Sequence, residues 1–135
     1  MGTISFEIYP HLKLVHFQGL GDISHDMLVS EIQQLHAHPD WNLGFNTFID
    51  FEKAFVNGKT SDLSRYQHFF DSLEETVPVR KWAIFTKLDV PNNAFDMRRL
   101  PPLRNIIVDV FQSRDEALRF LNVLPHELSA RSEGR

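Results

Sequence analysis

The chain is predicted to be an α/β domain with a five-stranded, mostly parallel sheet, an N-terminal β-hairpin and four helices. Three observations lead there. Two short alternating or apolar runs open the chain, separated only by "PHLK". After them, helical and strand periods alternate three times. Two of the later runs, "FNTFIDF" and "NIIVDVF", are apolar on both faces, as strands in the middle of a parallel sheet must be.

In "ISFEIY", Ile4, Phe6 and Ile8 fall on one side and Ser5, Glu7 and Tyr9 on the other, the period of a strand with one wetter face. Pro10 starts a tight turn, and "LKLVHFQG" returns antiparallel, with Gly19 and Gly21 expected to break it. From the N-cap Ser24, Leu28, Ile32 and Leu35 recur on one face beside Met27, so a helix spans about 24–37 until Pro39. The strand "FNTFIDF" then ends near Asp50 and gives way to a polar loop. A second helix runs from about Ser61 to Glu75, with Leu63, Tyr66, Phe70 and Leu73 inside, and Pro78 follows it.

"RKWAIFTK" is the next strand. A short third helix capped by Asn93 is stopped by Pro101 and Pro102, and "NIIVDVF" is the last strand. Ser113 and Glu116 form a capping box ahead of Ala117, Leu118 and Leu121 in the fourth helix. Residues 1–124 are expected to make one domain and 125–135 a polar tail. A chain of 135 residues can bury a core of its own, and it has no cysteine, which removes disulfides, thiolate metal sites and Cys nucleophiles. A net charge of −4 offers no bulk positive field for a nucleic-acid backbone. With neither a signal-like start nor an apolar run long enough to span a bilayer, a cytoplasmic location without an integral membrane segment is the default expectation.

The element order, "HPDW" at the end of the first helix, the strand "FIDF" and the closing "VDVFQSRDEALRFL" together resemble the SpoIIAA-like proteins. These are small bacterial stand-alone domains related in fold to STAS domains. The resemblance covers about Ile4 to Val123 and implies a SpoIIAA-like (STAS-like) fold. It further implies a non-enzymatic regulatory module acting through protein partners, which in better-studied relatives is switched by phosphorylation of a Ser in an Asp-Ser-Ser-Gly-Leu motif. The corresponding place here reads "GKTSDLSRY", with Gly ahead of the hydroxyls, so the phosphosite does not carry over. Thr60 and Ser61 remain candidate phosphoacceptors by residue type and by their place at a helix start beside Lys59, where added negative charge is favourable. The same two residues, with Asp62, are equally good N-caps.

Asp50 sits among Phe48, Ile49 and Phe51, where an unpaired carboxylate is costly, so it accepts backbone N–H groups of the following loop or, as the less favoured alternative, serves as a ligand-binding or catalytic acid. Asp109 in "IIVDVF" raises the same question. His36 and His38 lie two apart, which is not the i, i+4 spacing of zinc on a helix, and a His at a helix C-terminus is favourable as a cation; no metal or cofactor is expected. No Gly-x-Ser-x-Gly, phosphate loop or dinucleotide fingerprint is present, so an enzyme is not expected. Lys87, Arg98, Arg99 and Arg104 make a modest basic cluster that reads first as a solvated face. The twelve Phe are mostly core, but Phe55, Phe69 and Phe95 with Trp41 could line an apolar groove. The candidate binding residues are therefore Asp50, Phe55, Lys59, Thr60, Ser61 and Phe95. Their partner is another protein or, alternatively, a small apolar ligand or lipid held between the sheet and helices two and three; a homodimer is compatible with either.

Overall fold

A computed structural model describes residues 2–42, 44–57, 79–86 and 106–128. Strand β1 (Thr3–Tyr9) is joined to β2 (Leu14–Ser24) by a 3-10 turn, Pro10–Leu12. Proline supplies the fixed φ at the first position of that turn, and Lys13, at φ 52°, closes it by donating its N–H to the Pro10 carbonyl at 3.1 Å. Helix α1 (His25–His36) follows, then β3 (Asn46–Asn57), β4 (Arg80–Phe85), β5 (Ile106–Phe111) and helix α2 (Arg114–Phe120). The strands lie in chain order, β1 antiparallel to β2 and every later neighbour parallel. The architecture is thus α/β with a five-stranded mixed sheet. Among the described strands the order never reverses, and so they form no switch-point crevice of the kind where open α/β sheets hold ligands.

Each face of the sheet has its own core. On one, Val15, Phe17, Ile49, Phe51, Trp82 and Ile84 meet Leu28, Ile32 and Leu35, the stripe of α1. On the other, Tyr9, Leu14, Phe48, Ala83 and Phe85 meet Ala117 and Leu118 of α2 and then Leu121, Val123 and Leu128. The period-2 alternation of β2, β3 and β4 sorts these residues, and each fully buried Leu, Ile or Phe contributes about 1.5–3 kcal/mol. Leu128 falls in the stretch expected to be tail, yet it is buried in the second core, and residues 125–128 form one helical turn. Both helices start where their caps predict. Met27 N–H donates to Ser24 Oγ at 3.1 Å, and Glu116 N–H to Ser113 Oγ at 3.4 Å.

Two expected boundaries are corrected. Gly19 and Gly21 do not end β2, and the strand containing Asp50 does not end there. Both run on as a parallel pair, Leu20 beside Lys53, Gly21 beside Ala54 and Ser24 beside Asn57, after a bulge between Gln18 and Leu20. The glycines permit the continuation. A Cβ at Gly19 would lie 2.3 Å from Ile23 Cδ1 and 2.9 Å from the Phe51 ring, and Gly21 has φ 72°. The predicted second and third helices lie outside the described residues, which contain α1, α2, the single helical turn at 125–128 and the 3-10 turn.

Candidate functional site

Asp50 is carried by β3 on the α2 face of the sheet, between Gln18 of β2 and Phe85, the last residue of β4. It is only 5 % exposed. A carboxylate so placed must be neutralised on the spot, and the fold does this from two directions. Its Oδ1 accepts the Glu52 N–H at 3.1 Å, and its Oδ2 accepts from Arg114 Nη1 at 2.8 Å, a charge-assisted bond across 64 positions of sequence. Arg114 is the first residue of α2, so the Ser113 cap that starts the helix also aims the guanidinium.

The surroundings complete a polar row across three strands. His16 of β2 lies beside Phe48 in register and stacks on it, with ring centroids 5.0 Å apart and 19° between planes. The Arg114 guanidinium sits 5.4 Å from the centroid of the same ring. His16 Nε2 is 3.9 Å from Asp50 Oδ2, too far for a hydrogen bond, and that buried nitrogen has no hydrogen-bond partner among the described residues. Glu7 of β1 is directly opposite His16 and receives the Tyr9 hydroxyl at 2.8 Å. Burial alone pushes the Asp50 carboxyl up. The facing His16 imidazole, the Glu52 N–H and the Arg114 charge outweigh it, and the group is held below the usual carboxylate range.

A carboxylate with both oxygens engaged and its pKa lowered is an anchor, poorly suited to accept a proton or attack a substrate. What the arrangement does is tie the start of α2 to the middle of the sheet. Among the described residues no three His, Asp or Glu are placed to hold a metal ion.

The other candidates separate. Phe55 is half-buried on β3, opposite Asp22, and so stands in a strand rather than the expected loop. Lys59, Thr60, Ser61 and Phe95 lie outside the described residues, as do the basic cluster and the helix start proposed for phosphorylation. Asp109 is exposed and accepts the N–H of its neighbour Val110 at 2.8 Å. His38 Nδ1 accepts the Asp40 N–H at 3.1 Å. His36 packs on Trp41 with centroids 4.0 Å apart, and burial, with the Arg80 charge adding to it, lowers its pKa to about 4. The expectation that His36 complements the helix dipole as a cation is therefore corrected: at neutral pH it is uncharged. An open groove of about 450 Å³ is lined by Asp115, Arg119, Asn122, Val123, Leu124 and Pro125; Phe55 takes no part in it.

No family model matches the chain, and no curated protein matches it.

Sequence reasoning missed His16, Arg114 and the buried Arg80. Only Arg114 carried a local signal: a cation in the first turn of a helix opposes the dipole, which calls for an anion elsewhere in the fold. His16 is one of several polar residues in β2, beside Gln18, Asp22 and Ser24, and its relation to Asp50 exists only in the β2/β3 register.

Proposed function

We propose that this chain is a non-enzymatic, STAS-like binding or regulatory module that acts through contact with a protein partner. The observation that carries the reading is the use made of Asp50, the acid best placed for chemistry. Its two oxygens are occupied by Glu52 and Arg114, and its lowered pKa makes it a weak base. The resemblance of the element order and of "HPDW", "FIDF" and "VDVFQSRDEALRFL" to SpoIIAA-like proteins adds the class of partner, and the absence of the Asp-Ser-Ser-Gly motif leaves any control by phosphorylation to Thr60 or Ser61.

The test is native mass spectrometry of the chain purified at low salt from cells that make it. A heterologous protein bound at fixed stoichiometry, and lost on reversing the charge of exposed residues while the fold is kept, is the expected result. A tightly held apolar small molecule and no protein partner would overturn the reading in favour of a ligand carrier.

A further inference from the structure

Successive residues of a strand direct their backbone N–H and C=O groups to opposite edges. The Phe111 carbonyl accepts the Thr86 N–H at 3.0 Å, so the backbone of Phe111 faces β4, and with it that of Asp109 and Ile107. The N–H groups of Ile106, Val108 and Val110 therefore point away from β4. β5 is the terminal strand among those described, so they point to its outer edge. On that edge the Val110 N–H is already taken, by Oδ1 of Asp109 at 2.8 Å.

The edge needs such an occupant. "IIVDVF" contains no proline or lysine, its one charge is Asp109, and Ile107 is 49 % exposed. Without that one charge, a short apolar edge of this kind is a template for another strand. The same strand of a second copy matches this edge in length and composition. Antiparallel pairing of β5 with β5 about a two-fold axis joins identical edges and requires no further complementarity. In the register that sets Val108 opposite Val110, Asp109 of each copy faces that of the other, and the side chain that blocks the Val110 N–H also sets like charges against each other.

We propose that Asp109 is an edge guard: its carboxylate occupies the outward N–H of Val110 and charges the rim, which keeps β5 from pairing with β5 of a second copy of this chain.

Sedimentation velocity of the full chain over a wide concentration range tests this, with circular dichroism as the check on folding. Asp109→Ala is expected to self-associate at least about tenfold more tightly than the parent protein. Asp109→Asn keeps an acceptor for the Val110 N–H and is expected to fall between the two. In Asp109→Ala, amide exchange at Ile106, Val108 and Val110 should slow as concentration rises, which non-specific aggregation would not confine to β5. A folded Asp109→Ala that keeps the parent's mass throughout overturns the proposal, as does association without slower exchange at those three amides. If Asp109→Ala does not fold, Asp109→Thr, a good strand former without charge, is held to the same two readouts.

Discussion

The two faces of the sheet each bury a charged residue, and the covering helices bring different side chains under its influence, Arg114 on one face and His36 on the other. On the α2 face, Asp50 is met at hydrogen-bond distance by Arg114 from the helix that covers it, and His16 stands behind. On the α1 face, Arg80 opens β4 only 3 % exposed, in the same alternation as Trp82 and Ile84, and burial lowers its pKa. Its charge is felt at a distance by His36 on the last turn of α1, which is held neutral. On one face an attraction between opposite charges thus joins the apolar packing of Ala117 and Leu118 in holding the helix. The other keeps a histidine uncharged beside a cation, and its helix is held by the Leu28, Ile32 and Leu35 stripe.

The largest expected effect breaks the attraction. Asp50→Ala removes the anion that fixes α2, and urea denaturation should show a loss of about 2–4 kcal/mol, toward the lower end of the range for breaking buried pairs because Arg114, 38 % exposed, can reach water. A loss below about 1 kcal/mol would mean that α2 is held by Ala117 and Leu118 alone. On the α1 face, Gly19→Ala should cost about 1–3 kcal/mol, since the new methyl meets Ile23 and Phe51 in that core; an unchanged midpoint would show that the bulge can open.

Acid should separate the faces in two steps. His36 has a folded-state pKa of about 4 against an ordinary 6.5, so the unfolded chain binds more protons between those values. Stability should therefore fall as the pH drops from 6.5 to 4, by about 1–2 kcal/mol after allowance for partial exposure, and His36→Phe should flatten that limb. Asp50 has a lowered pKa, so its contribution is present above the ordinary value of 3.8 and is lost only as the pH falls below it, through the folded-state pKa. A single transition below 3.8, unchanged in His36→Phe, would refute the assignment of the upper limb. The smallest effect compares the caps. Ser24→Ala should cost about 1 kcal/mol and Ser113→Ala about half as much, in line with bonds of 3.1 and 3.4 Å; the reverse order would show that Ser113 matters chiefly by aiming Arg114.

What the sequence by itself determined was local. The stripe Leu28, Ile32 and Leu35, the caps Ser24 and Ser113, the turn at Pro10 and the double-faced strands around Phe48 and Val108 are written within a few residues of one another, and periodicity exposes them. The tertiary structure alone decided how far β2 and β3 extend, because "GLGDIS" and "EKAFVN" become strands only by bonding to each other. It also decided the in-order sheet, the burial of Arg80 and the meeting of Asp50 with Arg114. The reason is physical. A capping bond or an apolar stripe is satisfied by neighbours in the chain, whereas a buried charge and an unpaired strand edge are satisfied by whatever the fold brings to them from far along it.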